Sequence, residues 1–183
     1  MSDGDAHLVE TQVASELSFK GQLLEVRSDT VKLPDGGRGT RESVVHPGAV
    51  LVVPVLDDGR LVLERQFRYP VRRVMLEFPA GKLDAGESPL ACAKRELEEE
   101  AGYAGATWKE LGTIHPAIGY SNEFIHIYEA TGLTRVGQRL DEGEFLDIVE
   151  MSESELLATY DCGGFTDGKS LSALFAWRRS RGR

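Results

Sequence analysis

Residues 81–103, GKLDAGESPLACAKRELEEEAGY, constrain the fold of this chain more tightly than any other stretch. A turn-rich lead-in ends at Ser88-Pro89, where serine is suited to cap a helix and proline is tolerated at its first position. Gly102 supplies a residue able to close that helix. Between them, Leu90, Ala93, Leu97 and Ala101 recur at three- and four-residue intervals, which predicts a core-facing stripe over residues 89–101 with the acids on the opposite side. Glu96, Glu99 and Glu100 then share one helical face, about 5–6 Å apart at Cβ, where like charges repel. Negative charge at a helix C-terminus is also opposed by the macrodipole. An arbitrary run of glutamates is ordinarily a solvated face. Hard oxygen donors crowded in this way also suit Mg²⁺ or Mn²⁺, which bind through one or two carboxylates plus substrate phosphates.

The flanking sequence predicts alternating strands and helices, hence an α/β fold. Residues 1–16 are polar and read as a mobile tail. Short alternating runs over residues 19–46, broken by Pro34-Asp35-Gly36-Gly37, predict a small N-terminal antiparallel β appendage, assigned to residues 17–47. The main domain would occupy residues 48–183. Within it, residues 49–55, the turn Asp57-Asp58-Gly59 and residues 61–64 read as a β-hairpin entering a buried sheet. Residues 124–128 and 145–149 read as strands. Ser152 with Glu155 marks a capping box, and a last helix over residues 169–179 would present Leu171, Leu174 and Phe175 on one side.

Charge excludes several function classes. A formal net charge of −9 leaves no basic face for gripping nucleic acid, so an anionic ligand would need bound cations. No run of about 18 apolar residues argues for a membrane span, and no basic-then-apolar leader opens the chain, so a cytoplasmic protein is expected. Cys92 and Cys162 lie far apart and outside any metal-type spacing, and His115 and His126 read as structural. The basic end, Arg178-Arg179-Ser180-Arg181-Gly182-Arg183, reads as a frayed, solvated terminus.

The acidic segment resembles the Nudix box, Gly-x₅-Glu-x₇-Arg-Glu-aliphatic-x-Glu-Glu-x-Gly-aliphatic, through Gly81, Glu87, Arg95, Glu96, Leu97, Glu99, Glu100 and Gly102. Seven of these positions demand one residue type, and at roughly 6% per type they coincide by chance about once in 10⁸ windows. Tyr103 departs from the pattern where an aliphatic residue is usual. The resemblance implies a Nudix-type α/β/α sandwich with a mixed sheet. It also implies that Glu96, Glu99 and Glu100 bind Mg²⁺, with Mn²⁺ able to substitute, helped by the carbonyl of Ala80. Arg95 would hold the loop to the helix through Glu87, and Gly81 would let backbone approach a metal.

Beyond the box, Arg65-Gln66-Phe67-Arg68-Tyr69-Pro70, then Glu77-Phe78-Pro79-Ala80-Gly81-Lys82, and a later Ser121-Asn122-Glu123 element resemble the ADP-ribose pyrophosphatase branch. On that resemblance Arg65, Arg68 and Glu123 would contact substrate. An acid in the loop 141–145, Glu144 first and Glu142 second, would serve the attacking water, with Glu100 in the catalytic set. Position 118, sixteen residues after Gly102, carries isoleucine where ADP-ribose-specific members carry proline, so ADP-ribose and nucleotide sugars such as GDP-mannose both stay open. The alternatives are a nucleoside triphosphate pyrophosphohydrolase and a non-catalytic nucleotide-sugar sensor. The partner implied is a small nucleoside diphosphate, with a homodimer that exchanges N-terminal strands.

Overall fold

A computed structural model describes residues 3–182. The chain divides into two units. The described residues up to His46, together with Ala117–Glu123, form the first; Pro47–Pro116 with Phe124 onward form the second.

The first unit is an antiparallel sheet of β1 (Thr11–Lys20), β2 (Glu25–Lys32) and β3 (Arg38–Val45), in that order. Its first strand lies where the sequence predicts a mobile tail to residue 16. All ten residues of β1 are exposed, so no apolar alternation marks it; pairing with β2 from Thr11 to Lys20 makes it a strand. Backbone groups at the end of β3 recruit residues 117–123 into this unit. Val44 N–H donates to Tyr120 O at 2.7 Å, and Asn122 Oδ1 accepts from His46 N–H at 2.7 Å. The main domain expected over residues 48–183 is therefore interrupted, because backbone polar groups must be paired and this segment supplies partners.

In the second unit a mixed sheet runs β7-β4-β9-β8: Ala80–Lys82, Ala49–Pro54, Ile125–Arg135 and Tyr103–Ile114. Strands β4 and β9 are parallel and the other pairs antiparallel. All six β4 residues are buried, and alternate side chains serve opposite faces. Leu51 and Val53 pack with Leu156, Leu174 and Trp177 of α2 (Glu153–Asp161) and α3 (Gly168–Ser180). Val50 and Val52 pack with Cys92, Ala93 and Leu97, on and just after α1 (Pro89–Glu96). Helices cover both faces of the sheet, which is the α/β/α sandwich.

A second sheet runs β10-β5-β6: Leu146–Met151, Leu61–Arg68 and Arg73–Glu77. The expected hairpin of β4 and β5 thus opens after one bridge, Val55 with Leu61, and its arms join different sheets. Short-range pattern finds the turn at Asp57-Asp58-Gly59, whereas partner choice is tertiary. On α3, Leu174 is buried but Phe175 is 67% exposed, so the expected stripe is narrower. Arg181 pairs with buried Glu129 and stacks over Trp177 at 4.7 Å, so the chain end is tethered rather than frayed there. Among the described residues no helix is long and apolar enough to cross a membrane.

Candidate active site

Helix α1 begins as its sequence dictates: Ser88 Oγ accepts the Ala91 N–H at 3.3 Å, and Pro89 occupies the first turn. Its end differs. Residues Leu97–Ala101 form a wider π-helical turn, closed by Gly102 at φ 71°, where an added Cβ would stand 2.8 Å from the Gln138 nitrogen. Such turns re-aim side chains and recur at functional sites. Here Glu96 and Glu100 are buried, at 9% and 6% exposure, instead of occupying a solvated face opposite the core. Leu90, expected in the core stripe, is exposed, and Cys92 takes the inward position. Tyr103 is buried and donates its hydroxyl to Glu150 at 2.6 Å, a bond no aliphatic residue could make.

Strand β7 meets this helix end at close range. A Cβ on Gly81 would lie 1.9 Å from the carboxyl carbon and Oε1 of Glu96, so only glycine leaves room for that carboxylate. The Ala80 N–H donates to Glu100 Oε2 at 3.0 Å. Arg95 joins loop and helix: it donates to Glu87 at 3.0 and 2.9 Å, to Glu96 Oε1 at 2.7 Å and to Glu99 Oε2 at 3.2 Å.

Electrostatics follow from these partners. The hydrogen bond from Arg95 pulls the Glu87 carboxyl down to about 2. Burial, then the charges of Glu64 and Glu96, push Glu100 up to about 9, and burial also raises Glu96. Because the Glu87 pKa is depressed, its contribution to stability is complete above the ordinary glutamate value of 4.5 and is lost as pH falls toward about 2. Glu87→Gln is therefore expected to be less stable than wild type near neutral pH, with the gap closing in acid. Urea midpoints of both proteins from about pH 7 to about 2.5 measure it, and a gap constant over that range would assign the effect to something other than ionisation of Glu87.

Three side chains that sequence reasoning missed complete the neighbourhood: Glu64, Glu77 and Lys169. Glu77 is buried and held by Arg68 at 2.7 and 2.9 Å, and also by Lys169. Arg68 is thus engaged with Glu77, whereas Arg65, in register with Asp147, is exposed. Glu64 is fully buried and neither carboxylate oxygen has a hydrogen-bond partner. Its signal was readable, since alternation in Leu61-Val62-Leu63-Glu64 places a charge on the inward face of Val62. Nothing local marks Glu77 or Lys169, because their pairing spans 92 residues. The charge of Glu144 bears on Glu64, Glu96 and Glu100, and its carboxylate accepts the Asp141 N–H at 3.2 Å. Glu142 is exposed. Glu123 belongs to the first unit, 3.7 Å from His46 Nε2.

Among the described residues no three His, Cys, Asp or Glu side chains stand ready-made as a metal cage. The donor chemistry nonetheless fits a hard divalent cation. Arg95 and the Ala80 amide leave Glu96 Oε2, Glu99 Oε1 and Glu100 Oε1 without a hydrogen bond among the described residues, and Glu64 contributes two orphaned oxygens. All are oxygen donors, the preference of Mg²⁺.

The NUDIX domain profile matches residues 45–170, which include strand β7, the acidic helix and the loop before β10. This chain belongs to the Nudix family. Among its Nudix relatives, an ADP-ribose pyrophosphatase of Bacillus subtilis (strain 168) is 36% identical over 169 residues, 91% of either chain. A protein named methanol dehydrogenase activator, from Bacillus methanolicus, is 36% identical over 167 residues, 90% of either chain. The crystal structure of an ADP compounds hydrolase superposes with a TM-score of 0.83 at 28% identity, over 93% of this chain and 92% of that one. That likeness extends along nearly the whole chain and bears out the α/β Nudix fold.

Proposed function

We propose that this Nudix hydrolase cleaves the diphosphate bond of ADP-ribose or a related nucleoside diphosphate sugar, in a reaction dependent on Mg²⁺, with Mn²⁺ able to substitute. The observation that carries the reading is the meeting of Ala80 and Gly81 of strand β7 with Glu96 and Glu100, where unpaired carboxylate oxygens gather against the backbone. Glu96, Glu99 and Glu100, with the Ala80 carbonyl, would hold the cations, with Glu64 beside them. Bound there, divalent ions neutralise the diphosphate and acidify water.

The remaining roles fall to the chain itself. Arg95 keeps Glu96 and Glu99 oriented and ties them to the loop through Glu87. Glu144, whose charge bears on the same carboxylates, would take a proton from the attacking water, and Glu142, exposed two residues earlier in the loop, is the weaker candidate. Attack on one phosphorus breaks its bond to the bridging oxygen. ADP-ribose then gives AMP and ribose 5-phosphate; a nucleotide sugar gives a nucleoside monophosphate and a sugar 1-phosphate. Arg65 and Glu123 belong to the proposal as substrate contacts, as does Arg68 if it releases Glu77. The proposal also includes a cytoplasmic homodimer, supported by Val13, Leu17 and Phe19, which β1 leaves more than half exposed. A monomer mass in sedimentation would remove the dimer.

A panel of ADP-ribose, GDP-mannose, ADP-glucose and nucleoside triphosphates, assayed with Mg²⁺ and with EDTA, tests the reading. Hydrolysis of ADP-ribose or a nucleotide sugar, abolished by EDTA and restored by Mg²⁺ or Mn²⁺, is expected. Preference for triphosphates would shift the assignment to a triphosphate pyrophosphohydrolase, and tight binding with no turnover would make the chain a sensor.

A further inference from the structure

Glu64 is the one carboxylate among the described residues with both oxygens buried and unpartnered. Other buried acids of the second unit have donors: Glu77 has Arg68 and Lys169, Glu129 has Trp177 and Arg181, Glu96 has Arg95, and Glu100 has the Ala80 amide. The cations near Glu64 are already engaged. Arg68 and Lys169 both bind Glu77, its cross-strand neighbour on β6, and Lys169 also binds Asp167 at 2.8 Å. An unpartnered carboxyl in a packed interior is costly whether charged or protonated, and valine or leucine would suit a position flanked by buried Val62 and Leu63 far better for stability alone.

Its direction says what offsets that cost. Alternation along β5 puts Glu64 on the face of Val62, which packs against Cys92, Ala93 and Leu97 of the acidic helix. Among the charges acting on Glu100, that of Glu64 ranks first, and Glu144 acts on both. The orphaned carboxylate therefore faces the same ground as the box glutamates, from the sheet side.

We propose that Glu64 is a further ligand of the divalent-cation centre, contributed by strand β5 from outside the Nudix box. This rests on reading the chain as a cation-dependent diphosphate hydrolase. Glu64 supplies hard oxygen opposite Glu100, and the bound cation supplies the positive charge that Arg68 and Lys169 spend on Glu77.

Mn²⁺ binding to the full chain, followed by the EPR signal of the free ion, tests this in wild type, Glu64→Gln, Glu64→Leu and Glu100→Gln, with melting curves recorded with and without Mn²⁺. Both Glu64 variants should bind Mn²⁺ at least about 10-fold more weakly. The rise in Tm that Mn²⁺ gives wild type should shrink in them, and Glu64→Leu in EDTA should melt at or above wild type because its unpartnered buried carboxyl is gone. Mn²⁺ affinity within about twofold of wild type in both Glu64 variants, alongside weakened Glu100→Gln, overturns the role of Glu64 and leaves the hydrolase reading standing. A wild type that hydrolyses its substrate in EDTA and binds no Mn²⁺ brings down both.

Discussion

Glu100→Gln is expected to lower kcat by at least about 10²-fold with the fold intact, about 2.7 kcal/mol of lost transition-state stabilisation. Glutamine keeps the shape of the side chain, and its carbonyl oxygen can still accept the Ala80 N–H now bonded at 3.0 Å. What disappears is the charge that a cation would bind. Without a cation, burial and the neighbouring carboxylates hold Glu100 up to about 9, so near neutral pH it already carries a proton and resembles the amide that replaces it. The variant should therefore melt like wild type in EDTA but gain less from Mg²⁺. Steady-state rates on ADP-ribose, with melting curves in both conditions, separate the two effects. A wild-type kcat would remove Glu100 from the site.

A comparable loss, about 10²-fold in kcat, is expected of Gly81→Ala, although the residue has no side chain to lose. The new Cβ would fall 1.9 Å from the Glu96 carboxyl carbon and 2.5 Å from Oε2, distances no packed atoms sustain. Glu96 has to swing away and give up its 2.7 Å bond from Arg95. The displaced group is the end of a flexible side chain, so stability should fall by only about 1 kcal/mol, a few degrees in Tm for a chain of this size. Rate and stability thus part company, which distinguishes loss of a placed ligand from general loosening. Should Gly81→Ala turn over substrate at the wild-type rate, the position of Glu96 is immaterial to the chemistry.

The acidic helix shows both the reach and the limit of local pattern. Ser88 and Pro89 open it in the sequence and in the structure alike, and Gly102 closes the π-helical turn that follows α1, because caps act over three or four residues. The density of glutamates also announces a need for cations before any coordinate is known. A 3.6-residue period, however, puts those acids toward solvent; the π-helical turn over Leu97–Ala101 carries Glu100 into burial instead, and strand β7 at Gly81 covers Glu96. A wheel drawn at fixed period cannot register that change of pitch.

By itself the sequence determined the α/β class, the turn at Asp57-Asp58-Gly59, the capping box at Ser152 and the spacing of the Nudix box, all set by interactions between near neighbours. Only the tertiary structure decided that β4 and β5 part into different sheets, that β1 forms on an exposed polar segment and that residues 117–123 join β3. Tertiary packing likewise gave Arg68 and Lys169 to Glu77 and left Glu64 buried without a partner. Those outcomes depend on which backbone and charged groups meet across tens of residues, where desolvation and pairing outweigh any local preference.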